Sequence, residues 1–466
     1  MFYVAKHLCN KKYIKNAYKH TMEIMHDSME DYDIVIVGGG PAGVGAAFTA
    51  AKLGLRTAII ERTTLLGGNW TNGYVLSILG VYTYDGSQKI TGGIVDEIVA
   101  ELKERGGTKG QSGNFIPFRP DEMKLTLSYL AAKYGVVTYF GSLVTGASVE
   151  DNRISSVTVS GKDGTKTLRS KFFVDSSGDA DLTYYATSNV IEGKENAGWH
   201  QEATLPFRVG NVDEDEVIKF SKAHPDLISV TLRDGRLERL RIMPPLVTKA
   251  KEVHKLYLPD ANAEFLFNTS RKGEFVCNAT HIKIKDFKSG RELAKAINDL
   301  RHQVASSVNF LINEVDGFEN AYLLDSASGI GLRETRRAVG EYVLRRSDVL
   351  GNARFDDAIA RCGHPIEIHD PEKGVVYVHL EGGDSSWYHI PYRAIVQKGV
   401  GNAFVIGRCL SAEFDAQASA RVTGTALAMG QAAATAAYLC MRDGVRAIDV
   451  NIKELQTALR EQGMLI

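Results

Sequence analysis

Cysteine is scarce in this sequence, and no spacing gives it a task. Cys9, Cys277, Cys362, Cys409 and Cys440 are scattered through 466 residues, with no CxxC, no CxxxxC and no Cys/His pair at zinc spacing. That argues for a reducing compartment, without a structural metal or a redox-active disulfide. A surplus of charge of one sign is missing too. The 55 Lys and Arg stand against 56 Asp and Glu, a formal net charge of -1, so nothing draws the chain to nucleic acid or to an anionic membrane surface. No stretch supplies the ~20 uninterrupted apolar residues of a membrane helix; the nearest, Ala426 to Met441, is broken by Gly430 and Gln431. The expectation is a soluble cytoplasmic protein with no nucleic-acid or membrane partner.

What remains is a globular composition, 44% hydrophobic and 24% charged, in a chain long enough for two or three domains or one composite domain. Residues 1–20 hold five lysines and no acid, but lack both the apolar core of a signal peptide and the arginines of a transit peptide. Residues 1–30 read as an extension. Because Met22, Met25 and Met29 precede the first convincing strand, it is either an over-long start or a basic arm.

From Asp33 the pattern is definite. Ile34 to Val37 form an all-apolar run, as in a parallel strand buried on both faces. Gly38-Gly39-Gly40-Pro41-Ala42-Gly43 then fits GxGxxG, Val44 to Leu53 reads as a helix, and Thr57 to Ile60 as a second strand ending in Glu61. In that context the motif is a dinucleotide site. Gly38 makes the tight turn, Gly40 lets the backbone approach a pyrophosphate, Gly43 lets helix and strand pack, and Glu61 takes the ribose hydroxyls. The helix N-terminus supplies free N–H groups for the diphosphate.

Further helices are expected over Ile94 to Arg105 and Asp121 to Tyr134, a strand over Val136 to Phe140, and an antiparallel meander at 143–149, 153–160 and 165–174. The stretch from about 190 to 394 mixes short strands with two charged helices, near 290–314 and 331–346. The strand Ala403 to Ile406 and a small-residue helix from about 420 to 441 return to the style of the start. The fold class is therefore α/β, a discontinuous Rossmann-type nucleotide-binding domain (31–190 plus 395–466) enclosing a mixed α+β substrate domain (191–394).

Arg62 and the segment Leu66-Gly67-Gly68-Asn69-Trp70-Thr71 suit a cofactor that runs on past the adenosine. Gly38 to Gly43, Glu61-Arg62, Gly67-Gly68, Val174 to Asp181 and Asn402 to Ser411 together resemble the FAD-dependent oxidoreductases of the glutathione-reductase-like superfamily. More narrowly, the chain is similar from about Tyr32 to Tyr438 to a family with one Rossmann motif and a Gly-Arg-Cys-Leu-Ser signature, here Gly407 to Ser411. The resemblance implies FAD in extended form along Gly38, Gly40, Pro41, Ala42 and Gly43, past Glu61, Arg62, Gly67, Gly68 and Asn69. It implies that Ser176, Gly178 and Asp179 pass near the cofactor and that Val144 meets the adenine by its backbone. Arg408 stands where the superfamily usually has the Asp of a Gly-Asp that contacts the ribityl chain. The helix after Gln417 would aim its N-terminus at the flavin pyrimidine, with Arg421 adding positive charge there or pairing with the preceding loop. Cys409 is either a covalent attachment point or a small buried hydrophobe.

No second GxGxxG and no CxxxxC are found, which excludes the disulfide-reductase branch. Electrons must come from the substrate, from a transient nicotinamide or from a partner protein, so an external electron donor or acceptor belongs to the expected partners. The expected function is a dehydrogenase or reductase moving a hydride between flavin N5 and a small organic substrate. A monooxygenase or halogenase, or a non-catalytic FAD protein, is the alternative. Trp387-Tyr388-His389-Ile390-Pro391 partly matches a halogenase WxWxIP segment, with His389 in place of the second tryptophan. His389, with Tyr388 and Arg393, stands where the chain re-enters the first domain and is the acid/base expectation; the alternative is a solvent-facing His389 and an Arg393 that only pins the hinge. The family often has a histidine at the position of Phe414. Arg333, Arg336 and Arg337 could hold a carboxylate or phosphate, or pair on a helix surface with Glu334.

Overall fold

The computed structural model describes residues 31–195, 197–233, 235–253, 255–258 and 264–466; the extension read at 1–30 lies outside them. Strand β1 (Asp31–Val37) runs into the glycine turn and helix α1 (Pro41–Lys52), which returns to β2 (Thr57–Glu61). Alternate β1 side chains serve different cores. Ile34 and Ile36 face the helices, while Val35 and Val37 pack with Ala58, Ile60 and Val157 on the other side. Both faces are thus dry, which is why the run carries no polar residue.

Helices α2 (Ile94–Glu104) and α3 (Pro120–Tyr134) lead to β3 (Val137–Phe140) and then to the expected meander, β4 (Leu143–Glu150), β5 (Arg153–Gly161) and β6 (Gly164–Asp175). The sheet order is β3-β2-β1-β6-β5-β4. Pairing is parallel from β3 to β6 and antiparallel beyond. The twelve-residue β6 is the pivot, since its first half forms a hairpin with β5 and its second half lies beside β1, with Val37 opposite Asp175.

The chain then leaves this sheet and builds a second one from β7 (Phe207–Gly210), β8 (Ile228–Arg233), β9 (Arg236–Ile242), β10 (Glu264–Asn268), β11 (Phe275–Cys277) and β12 (Tyr322–Ser326). The order is β8-β9-β10-β11-β7-β12, all antiparallel. The 25-residue α4 (Gly290–Glu314), whose first turn is capped by Ser289, contacts β12. Strand β13 (Ala403–Val405) brings the chain back, pairing parallel with the far edge of β6. Then come the short α5 (Phe414–Ala420) and α6 (Thr423–Asp443), which lies along α1. That crossing is close enough that a Cβ on Gly430 would sit 2.1 Å from the Ala42 carbonyl oxygen. The fold is α/β, a discontinuous Rossmann-type unit with an inserted antiparallel sheet.

The helix expected at 331–346 is absent. Residues 336–338 form a strand against 190–192, and only Arg346–Leu350 is helical. The cause is long-range. Arg336 pairs with Asp181, and Arg337 reaches Glu334, Glu195 and the carbonyls of Gly193 and Ala412. An extended backbone reaches these anchors on its two sides.

Candidate active site: one cavity along the sheet's carboxyl edge

Strands β1, β2, β6 and β13 all end on one edge of the parallel sheet, and a cavity of about 720 Å³ opens there. In open α/β sheets this edge is the ligand crevice. Gly38, Gly40, Pro41, Ala42, Glu61, Arg62, Gly68, Asn69, Ser176, Gly178, Asp179, Arg408 and Arg421 line it. The expected cofactor residues from six separate stretches of chain therefore meet on one surface.

Gly38 has φ +100°, and a Cβ there would lie 2.4 Å from the Ser176 carbonyl oxygen; the turn presses against the β6 loop, and only glycine permits it. Gly43 packs behind it, against the Gly38 carbonyl. Gly40 is the reverse case, since a Cβ there would meet nothing within 4 Å. It caps α1 without any side-chain hydrogen bond, and Pro41 follows. The first-turn N–H groups of α1 are left facing an open cradle, which fits a diphosphate.

Glu61 is 7% exposed. Its Oε2 accepts the Gly39 N–H at 2.8 Å, and its Oε1 accepts the N–H and hydroxyl of Thr63, each at 2.8 Å. A carboxylate has about four acceptor sites, so a lone pair remains on Oε2 for a ribose hydroxyl. The carboxylate also braces the glycine turn. Thr63 was not among the expected residues.

Across the cavity, Asp175 accepts from Ser177 and Thr183 and so fixes the loop 176–179. Asp179 accepts from Thr335 and Arg408, each at 2.7 Å, with Arg62 at 3.6 Å. Burial alone would push Asp179 up, but Arg408 and Arg62 beside it win and hold it below the usual carboxylate range. Asp181 next door is pushed up to about 6 by burial and by the charges of Asp179 and Asp175. Arg408 thus has its acid, supplied by the β6 loop instead of its own.

Four expected cofactor residues stand off the cavity. Gly67 is in the wall behind, donating its N–H to the Gly39 carbonyl at 2.7 Å. Val144 is buried in the second core with Val35 and Ile60. Gln417 lies inside α5 and ties the carbonyls of Arg333 and Arg408 together, at 3.2 and 3.0 Å. Gly43 is covered as described. Cys409 is buried with its thiol on the Ile406 carbonyl at 3.5 Å, a small hydrophobe in its surroundings.

The acid/base expectation is corrected. Tyr388 is fully buried with its hydroxyl on Ser419 at 2.7 Å. The Nδ1 of His389 accepts the Phe355 N–H at 3.1 Å, and burial, Arg354 and Arg361 push it down to about 4. Arg393 pairs with Asp357 at 2.9 Å in a separate cleft. None of the three lines the cavity: the strand at 388–391 pairs with 358–362, which packs against α6.

The same cavity is also lined by apolar residues of the inserted part, Phe287, Leu293, Ile330 and Leu332, and by Arg421, Thr423 and Ala426 around the start of α6. Behind Arg421 lies a polar group of Arg333, singled out in the sequence as a possible anion holder, with Glu367 and His369, which the sequence reading missed. His369, 7% exposed, bonds Glu367 through Nε2 at 2.9 Å, and its buried Nδ1 has no partner among the described residues. Burial, then Arg333, push it down to about 3. The signal for the missed pair was Glu367 and His369 at i, i+2 in the short strand Ile366–Asp370.

A family model described as FAD dependent oxidoreductase matches residues 33–459. The chain belongs to the FAD dependent oxidoreductase family. This oxidoreductase is 28% identical over 208 residues to a digeranylgeranylglycerophospholipid reductase of Thermoplasma volcanium, covering 40% of this chain and 49% of that one. The chain thus spans about half, or less, of the curated relatives it matches. Among solved structures, a geranylgeranyl bacteriochlorophyll reductase-like protein of Thermoplasma acidophilum superposes with TM-score 0.45 at 15% identity, covering 93% of this chain and 84% of that one. A flavin-dependent brominase gives 0.47 at 15% identity, covering 92% and 83%. The cofactor of this enzyme is FAD, and the cradle at Gly40 has the chemistry to hold its diphosphate.

Proposed function

We propose that this flavoenzyme is a dehydrogenase or reductase that exchanges a hydride with a small organic substrate held in the same cavity as FAD. One observation carries the reading: the same 720 Å³ cavity is lined both by the nucleotide crevice and by apolar residues of the inserted part. FAD, when bound, supplies a two-electron carrier that takes or gives a hydride at N5.

The chain's own residues do the rest. The α1 N-terminus and Gly40 receive the diphosphate, Glu61 takes the adenosine ribose, and Arg62, Asp179 and Arg408 form the polar wall between them. Residues 31–190 with 395–466 hold the cofactor, and 191–394 supply the substrate side. Phe287, Ile330 and Leu332 offer an apolar wall for the hydrocarbon part of the substrate. The proton role expected of His389 falls instead to His369, which stands behind Arg421 of the cavity wall, is oriented by Glu367 through Nε2 and has no partner for its Nδ1 among the described residues.

The test is anaerobic mixing of the FAD-loaded chain with alcohols, amines, carboxylic acids and reduced nicotinamides. Bleaching of the visible flavin band by at least one of them supports the proposal. A flavin that dithionite reduces but none of these donors does would contradict it.

A further inference from the structure

Arginines next to the cavity are paired with acids as a rule: Arg336 with Asp181, Arg337 with Glu334 and Glu195, and Arg408 with Asp179. Two break the rule. Arg333, 7% exposed, donates one hydrogen bond, to the backbone carbonyl of Glu202. Arg421, in the cavity wall, donates only to the backbone carbonyl of Glu367 at 3.3 Å, and its buried Nε has no acceptor. Neither guanidinium has a carboxylate at ion-pair distance among the described residues.

Each carries five N–H donors and uses one. Arg333 also feels the charge of Arg421. Burial, then the charge of Arg421, hold Arg333 down to about 10, and burial likewise lowers Arg421. Other donors in the same surroundings are idle: Nε2 of Gln201, whose Oε1 takes the His369 N–H, and Oγ of Thr423, two residues past Arg421. Buried cations and donors without acceptors are costly. An acceptor-rich anion entering from the cavity would satisfy them.

We infer that Arg333 and Arg421 form the binding site for a carboxylate group of the substrate. This rests on the proposal that substrate shares the cavity with FAD. A planar carboxylate matches the guanidinium fork in two parallel hydrogen bonds. A single negative charge also suits the surroundings, because Glu367 and Glu202 lie within electrostatic reach of Arg333 and would repel a dianion. The apolar walls at Ile330 and Leu332 receive the hydrocarbon part.

The test titrates the FAD-loaded chain with benzoate, benzamide and inorganic phosphate, followed by calorimetry and by the visible flavin spectrum. Benzoate should bind and perturb the spectrum, and its neutral isostere benzamide should not. Arg333→Gln should weaken benzoate about 10- to 100-fold, the loss of charge-assisted hydrogen bonds, while FAD per chain stays at the wild-type value. If that variant does not fold, Arg333→Lys replaces it, and should bind benzoate more weakly than wild type because a point charge replaces the fork. Benzamide binding as tightly as benzoate, phosphate binding in place of benzoate, no benzoate binding, or wild-type affinity in the Arg333 variant would each overturn the inference. Failure of the underlying reading is seen separately, as a flavin that none of the candidate donors reduces, whatever benzoate does.

Discussion

Arg408 and Asp179 meet at 2.7 Å across 229 residues of sequence, joining the loop after β6 to the loop after β13 at the floor of the cavity. Thr335 adds a third partner from the inserted part, at 2.7 Å from Asp179. One ion pair thus fastens the returning chain to the first half of the nucleotide crevice and to the substrate side.

Removing one member strands the other. In Arg408→Ala, the nearly buried Asp179 keeps only Thr335 and the distant, 59% exposed Arg62. We expect a loss of about 3 kcal/mol in the stability of the FAD-free chain, as for other half-broken buried pairs, and weaker FAD retention. Urea unfolding checks the first. The double variant Arg408→Ala/Asp179→Asn should cost less than the sum of the two singles; additive losses would mean that the pair does not act as a unit.

Acid should destabilise the fold through its buried histidines. His369 is held down to about 3 and His389 to about 4, and His364 is lowered by burial. The unfolded chain takes up protons on these groups near 6.5 and the folded chain does not, so their stabilisation is complete above pH 6.5 and is lost as pH falls toward 4. Glu367, also depressed, adds to the loss only below its ordinary value of 4.5. Asp181, raised to about 6, works in the opposite direction: its contribution is present below 3.8 and lost as pH rises through 6. Three histidines against one aspartate predict a urea midpoint that drops between pH 7 and 5. His369→Gln should flatten the drop and Asp181→Asn should steepen it.

The two histidines are separable in catalysis. His389→Ala removes the acceptor of the Phe355 N–H, costs about 1 kcal/mol of stability, and should leave the rate of flavin reduction unchanged. His369→Gln should leave FAD content unchanged and slow reduction by an active donor about 10²- to 10⁴-fold. Equal rates in both variants would remove His369 from the role.

The first βαβ unit was legible because its signals are local. A dry strand, a turn that needs Gly38, a helix without a cap and an acid at Glu61 lie within 31 residues, from Asp31 to Glu61. The segment 331–346 was misread for the opposite reason. Its charges fall at helical spacing, but Arg336 and Arg337 are committed to partners 155 and 142 positions away, and those ion pairs override local propensity. His389 was misplaced because a position in the chain, the return to the first domain, stood in for a position in space. The group of Arg333, Glu367, His369 and Arg421 was invisible as a group. It exists only once the inserted part folds back on α5 and α6, and no spacing in the sequence records that.

The most direct measurement of the central claim is a calorimetric titration of the flavin-free chain with FAD, repeated on Glu61→Ala. One FAD per chain is expected, with affinity about 10- to 150-fold lower in the variant, the equivalent of roughly 1.5–3 kcal/mol for charge-assisted hydrogen bonds. No FAD bound by the wild-type chain, or equal affinity in the variant, would contradict the placement of the cofactor in this cavity.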